Sequence, residues 1–415
     1  MLYLTPFFPA MSNHRYDART FDDVDPLLGG TPALAALSAE VHRRGMRIMG
    51  DLTTNHTGDN HEWFLAAQAD QHAAEAGFYY WTDDEVGYAA WLGFPSLPKL
   101  NYADAELRRR LIDGPDSVVA RWMRPPYGLD GWRIDVANMT GRFRADDFTH
   151  EVARMVRATM TAANPDTLLI AEHTHDYTGD LTGDGWHGVM NQSGFTRPIW
   201  RWLTDPHGAL PNFLGVPGSV PRADGGSVVA TIRDIMGAVP WRTATTTLNM
   251  LGSHDTPRIR TVTGDPELVA VGAALLFTFP GIPMVFSGDE IGLTGTNGED
   301  SRKPFPWDRP ERWEHSTLDT YRTLIRLRRD SVALRHGSLR WIHCGPDSLA
   351  YVRETADETV LVLVNRAAGP DTAVPVGALG LTGPAEPWYG GTPLTVHNGQ
   401  ARLPGDGPAA FVWRL

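Results

Sequence analysis

Four polar clusters carry the residues whose types and spacing can do chemistry: GDLTTNH ending at His56, DGWRIDVANM at 130–139, LLIAEHTHD at 168–176 and LNMLGSHDTPRI at 248–259. Each closes a run that reads as a buried strand. In the second cluster, strand alternation puts Arg133 and Asp135 on one side, with Trp132, Ile134 and Val136 on the other. A guanidinium beside Asp135 holds it ionised, as a nucleophile or base requires. Glu172 ends the next strand, behind the apolar run at 168–171. A partly desolvated carboxyl there holds its proton and suits a general acid. Two such carboxyls are what glycosidic-bond cleavage needs: one attacks the anomeric carbon, and the other protonates the leaving oxygen and then activates water. Asp255 supplies a third carboxylate, suited to gripping ring hydroxyls as positive charge develops.

Plainer readings compete at each place. An isolated Arg-x-Asp pair on a strand is more often a structural ion pair. The two histidines of HTH at 173–175 lack a matched third ligand and read as loop residues rather than a metal site. His42 and His72 sit in helical patterns. Recurrence of polar clusters, in order, at four strand ends favours the catalytic reading, because the C-terminal edge of a parallel barrel is where such enzymes hold their sites.

The elements behind the clusters alternate. Strand-like runs at 1–5, 46–52, 131–136, 167–172, 188–191, 246–251 and 283–287 are mostly separated by helical patterns, which argues for a parallel sheet covered by helices. Thr31-Pro32 reads as an N-cap followed by proline at the first helical position, with Leu34, Leu37 and Val41 as the apolar stripe and Gly45 as the stop. Residues 56–105, rich in His, Asp, Gly and aromatics and without a clear period, read as an insertion on the binding face. After about residue 335, LAYVRET, TVLVLVNR and AAFVWRL predict a small all-β domain. The expected division is a barrel over 1–335, including the insertion 56–105, and a β-sandwich over 336–415.

Composition narrows the partners. A net charge of −12 argues against a nucleic-acid backbone and against anionic membranes. The most basic run, YRTLIRLRR at 321–329, places Leu324 and Leu327 at helical spacing and reads as a solvated helix face. The single cysteine, Cys344, excludes an intramolecular disulfide and a cysteine-based metal cluster. The longest apolar run, VAVGAALLFTF, is too short to span a bilayer. No signal-peptide pattern opens the sequence, so a cytoplasmic location is the expectation.

In these residues the chain resembles glycoside hydrolase family 13, the α-amylase family, near its neopullulanase, cyclomaltodextrinase and maltogenic amylase group. LYLTPFFPA, DLTTNH, LPKLN, GWRIDVANM, IAEHTHD, LGSHDTPRI and GDEIGLTG occur in the family's order over about residues 1–310. The resemblance implies an α/β fold, a TIM-type (β/α)8 barrel, with a short insertion after the third family strand and a C-terminal all-β domain. By motif order MLYLTPFFPA falls at the second barrel strand, so the expectation is a barrel lacking its first β/α unit.

The resemblance also implies a retaining double displacement on α-glucosidic bonds, with Asp135 as nucleophile, Glu172 as acid/base and Asp255 as transition-state stabiliser. His56, Arg133 and His254 would contact the sugar in the cleaved subsite or the nucleophile. Tyr16 would stack under that sugar, and Asp17 with Arg258 would lie at its non-reducing end. LPKLN resembles the MPKLN of the group, which favours α-1,4 over α-1,6 bonds. No cofactor is required; calcium is allowed, with Asn55 as a ligand. The implied substrates are maltooligosaccharides or related α-1,4-glucans, with transglycosylation as an accompanying activity. A trehalose synthase-like isomerase or transferase, and a non-catalytic binding member, are the competing readings. Thr174 stands where the group has tryptophan two residues after the acid/base, which departs from the aromatic floor of the acceptor side.

Overall fold

The computed structural model describes residues 1–208, 212–213, 216–217, 220–381 and 383–415. It divides into two compact units, Met1–Met190 and Asn191–Leu415. The first is built on five parallel strands whose spatial order follows the chain: β1 (Leu2–Tyr3), β2 (Ile48–Thr53), β3 (Gly131–Asp135), β4 (Leu168–Ala171) and β5 (Gly188–Val189). Every residue of β2 and β3 is buried, charged ones included. Alternation sorts them: Leu52, Trp132 and Ile134 take one face, while Asp51, Thr53, Arg133 and Asp135 share the other. Register sets Asp51 beside Arg133 and Thr53 beside Asp135. Gly50 leaves the room that the Trp132 ring fills, since a Cβ there would meet that ring at 2.5 Å.

Helix α1 (Gly30–Arg43) starts behind Gly29, whose φ of 94° only glycine adopts freely, so Thr31 lies inside the first turn and does not cap it. Its buried stripe is Leu34, Ser38 and Val41; Leu37 faces solvent. The insertion has more order than its composition suggests. A helix at Glu62–Ala69 is capped by His61, whose Nδ1 accepts from the Trp63 N–H at 3.1 Å. Phe64 packs edge-on against Tyr79 and Tyr88, both at 4.8 Å, and makes a small aromatic core for the segment. Sequence periodicity misses such a core because short-range ring contacts have no helical or strand repeat.

In the second unit, β6 (Leu248–Met250) pairs in parallel with β7 (Ile282–Met284). The apolar run at 269–279 belongs to helix Pro266–Thr278, buried on nearly all sides. Among the described residues no helix is long and apolar enough to cross a membrane. The basic run lies on helix His315–Asp330 with Leu324 and Leu327 buried, as its spacing predicts, but Arg328 turns inward. Its guanidinium donates to the carbonyls of Phe277 and Phe279 at 2.9 Å and of Gly281 at 2.5 Å. A cation there satisfies the unpaired carbonyls where helix Pro266–Thr278 ends.

The C-terminal residues form an antiparallel sheet of five strands, Ser338–Cys344, Ser348–Glu354, Thr359–Asn365, Ala409–Arg414 and Glu386–Tyr389 in spatial order, and a second sheet of three. Val352, Leu361, Leu363 and Trp413 of the first sheet share a core with Val374, Ala401 and Leu403 of the second. The opposite face of the first sheet, through Tyr351, Val362 and Val412, enters the same core as Leu275, Leu276 and Tyr321. Within the second unit, that sheet face and the preceding helices therefore bury each other.

Burial pushes the His61 imidazole down to about 3 from its ordinary 6.5. Between those values the unfolded chain binds a proton that the folded chain does not, so this stability is complete above 6.5 and is lost as pH falls toward 3. Acidification from about pH 7 to about pH 4 is expected to lower the melting temperature. His61→Asn, which keeps a cap acceptor without the titration, is expected to flatten that fall; equal slopes in the two proteins would contradict this.

Candidate active site

Arg133 is 0% exposed at the centre of the first unit's polar face. Its Nη1 donates to Asp51 Oδ1 at 2.8 Å and Oδ2 at 3.0 Å, and to Asp135 Oδ1 at 2.9 Å. Nη2 lies 3.1 Å from Glu172 Oε2, an ion-pair contact out of line for a hydrogen bond. Nε faces the Met190 sulfur at 3.3 Å. Burial opposes the charge of Arg133, yet the carboxylates of Asp51 and Glu172 hold its pKa well above the ordinary value. One cation is shared among three carboxyl groups, so the field here is set to favour positive charge on a bound molecule.

Backbone geometry places the two candidate catalytic carboxyls. Asp135 is the last residue of β3, and the chain then turns at Val136, whose φ of 46° is a left-handed conformation that β-branched residues rarely take. The Val136 N–H donates to Glu172 Oε2 at 2.8 Å. Glu172 is itself held at the end of β4, its N–H bonded to the Ile134 carbonyl at 2.9 Å. The Arg133 side chain and the Val136 amide thus both address Oε2.

Tyr16 joins the same group. Its hydroxyl donates to Asp51 Oδ2 at 3.0 Å, and the Arg133 guanidinium lies 5.7 Å from its ring centroid. Tyr3 donates to the same Asp51 oxygen at 2.7 Å. His56 is buried, its imidazole pushed down to about 3 by burial and by the Lys99 charge, so it is neutral at physiological pH. Asp17 is turned to its own loop: its carboxylate accepts from the backbone N–H groups of Met11 at 3.1 Å and Ser12 at 3.0 Å, and from the Ser12 hydroxyl.

The side-chain oxygen of Asn55 is engaged by a cation of the chain itself. The Lys99 ammonium, from LPKLN, donates to Asn55 Oδ1 at 2.5 Å and to the Met139 carbonyl at 2.9 Å. A cation is therefore already supplied by the chain at the oxygen that calcium would need. Burial pushes that ammonium down to about 8.

The second unit brings His254 and Asp255 together, with Nε2 3.1 Å from Asp255 Oδ2. Arg302 clamps the same pair: Nη2 donates to Asp255 Oδ1 at 3.0 Å, and Nε to the His254 carbonyl at 2.8 Å. Arg258 is 1% exposed and bonded inward, to Asp289 Oδ1 at 2.8 Å and to the carbonyls of Ser287 and Ser301. The arginine on a candidate carboxylate is thus Arg302, which sequence reasoning missed, as it missed Asp51. Strand alternation was the available signal for Asp51, because it falls on the same face as Arg133 in the neighbouring strand; Arg302 stands in a loop and carries no such periodic signal.

Asp51→Asn leaves Arg133 with one counter-charge fewer in a site closed to water, and is expected to cost about 3 kcal/mol in a denaturant titration; a loss below about 1 kcal/mol would show that Asp51 does not anchor the array. Chelation with excess EDTA is expected to leave the melting temperature unchanged. A marked drop, restored by calcium, would show that Lys99 does not fill that role.

Comparison with known proteins gives this geometry a family. The catalytic-domain model of the alpha-amylase family matches residues 1–182 and 222–325. A cyclomaltodextrinase from Geobacillus thermopakistaniensis is 31% identical over 392 residues, covering 91% of this chain and 61% of that protein. Neopullulanase 2 from Thermoactinomyces vulgaris is 31% identical over 88% of this chain and 59% of its own length. The chain thus spans about three fifths of the length of these curated relatives. Among solved structures, a debranching enzyme from Nostoc punctiforme superposes with a TM-score of 0.87 at 27% identity, covering 99% of this chain and 84% of that one. The parallel sheet of the first unit and the all-β C-terminal region are, in this light, parts of a TIM-type barrel followed by its β domain. On the catalytic-domain match and these relatives together, the chain belongs to the α-amylase family.

Proposed function

We propose that the chain is a retaining hydrolase of α-glucosidic bonds that acts on maltooligosaccharides or related α-1,4-glucans and also transfers glycosyl groups to sugar acceptors. The observation that carries this reading is the sharing of Arg133 between Asp135 and Glu172, at 2.9 Å and 3.1 Å. One guanidinium keeps the two carboxyls near each other, as suits a carboxylate nucleophile working with a neighbouring acid. The names of relatives, cyclomaltodextrinase, neopullulanase and intracellular maltogenic amylase, support the glucan class.

Asp135 attacks the anomeric carbon while the bond to the leaving oxygen breaks, and Glu172 gives that oxygen its proton from Oε1. The ionised Glu172 then takes a proton from water, the water oxygen displaces Asp135, and the product keeps its α configuration. Asp135 meets the requirement for a nucleophile that is charged and fixed, because Arg133 supports its Oδ1 and β3 fixes its backbone. Asp255 serves as the third carboxylate, stabilising the oxocarbenium-like state, with its orientation set by Arg302. Tyr16 offers its ring to the sugar, held by the bond from its hydroxyl to Asp51.

Asp135→Asn is expected to abolish release of reducing sugar from maltotriose while leaving the circular dichroism spectrum unchanged. Retained activity in that variant would remove Asp135 from the nucleophile's role. In the unaltered chain, NMR of the first product formed should show the α anomer; an initial β anomer would refute retention.

A further inference from the structure

Residues 302–313 read RKPFPWDRPERW, and they hold a surface that the chemistry above does not use. Trp307 is 74% exposed, more than any other tryptophan or phenylalanine among the described residues. Phe305 lies against it with centroids 4.0 Å apart, and Trp313 meets both rings edge-on at 5.4 Å and 6.2 Å. The platform is rigid. Pro304, Pro306 and Pro310 fix φ along it, and the Trp313 indole N–H is anchored to the Pro306 carbonyl at 3.0 Å. A surface ordered in advance loses little entropy on binding.

The platform's surroundings select the partner. Asp308, Arg309, Glu311 and Arg312 of the same segment are exposed and add donors and acceptors of both signs to it. An aromatic face on a segment that carries such groups matches an uncharged molecule with one C–H face and hydroxyl edges, which is a pyranose. Stacked nucleobases are disfavoured by the net charge of −12, which repels the phosphates they bring. Three rings are also far less than the roughly 1,200 Å² that a stable protein interface buries. The platform begins three residues after Arg302, which grips Asp255 and the His254 carbonyl, so it continues directly from the arm that holds a candidate site carboxylate.

We propose that the Phe305–Trp307–Trp313 platform is a second contact for α-glucan, stacking a glucose unit of a long chain outside the reacting sugar. This rests on the glucan reading above and adds a preference for long substrates to it.

Native electrophoresis through gels containing amylopectin tests it, using Asp135→Asn chains so that the polymer is not consumed. Adding Trp307→Ala is expected to weaken apparent affinity about fivefold, while Trp307→Phe, which keeps a stacking ring, holds most of it. Equal retardation of the Trp307→Ala and Trp307 chains overturns the proposal. So does a dimer on gel filtration that Trp307→Ala converts to monomer with retardation unchanged, which would assign the rings to self-association. Maltotriose hydrolysis by the unaltered chain is scored in parallel. Its absence would count against the proposed function, whereas hydrolysis with unchanged retardation of the variant would count against the platform alone.

Discussion

A guanidinium cannot be buried without company, and Arg133 is buried completely. That constraint organises the first unit. Here the charge is met by carboxylates: the sheet register delivers Asp51 beside it, Asp135 two residues on, and Glu172 from the next strand. Each carboxyl answers a different need. Asp51 is closed in by Tyr3, Tyr16 and Arg133 and serves as counter-charge. Asp135 ends its strand at the strained turn of Val136 and is the proposed nucleophile. Glu172 has one oxygen engaged by the Val136 amide and Arg133. One ion contacts all three carboxyls, so a change in any of the four charged groups is felt by the others.

The second unit uses arginine in a related way. Arg328 and Arg353 are buried against backbone carbonyls near the end of helix Pro266–Thr278, and burial pushes them down to about 10 and about 9. Arg258 ties its loop to Asp289 and Ser301. Arg302 fixes Asp255. In each case a fork of donors joins segments distant in sequence, at places where helix or strand geometry has ended and backbone carbonyls or loop carboxylates need partners.

Strand ends and their polar clusters were legible in the sequence because β2, β3 and β4 combine buried apolar runs with charges that alternation assigns to one side. The same alternation held Asp51, but a single acidic residue in a run named for its later histidine draws no notice until a neighbouring strand puts Arg133 beside it. Arg302 and the ring stack at Phe305 were not legible, since their roles come from loop contacts without a period. The helix at Glu62–Ala69 was hidden by an unusual cap, a histidine in place of Ser, Asp or Asn. The surroundings of the C-terminal sheet were hidden for another reason: both faces of the Ser348–Glu354 strand are buried, and sequence alone does not say which neighbour covers each.

The central claim is that Arg133 presents Asp135 as a charged nucleophile while Glu172 manages the proton. Its most direct test is mass spectrometry of the Glu172→Gln chain treated with α-maltosyl fluoride, whose leaving group needs no acid. Attack then proceeds, but the base that activates water is gone, so the covalent intermediate should accumulate. The account predicts one maltosyl group, located on the peptide that contains Asp135. An adduct on any other residue, or fluoride release with no adduct at any time, would contradict it.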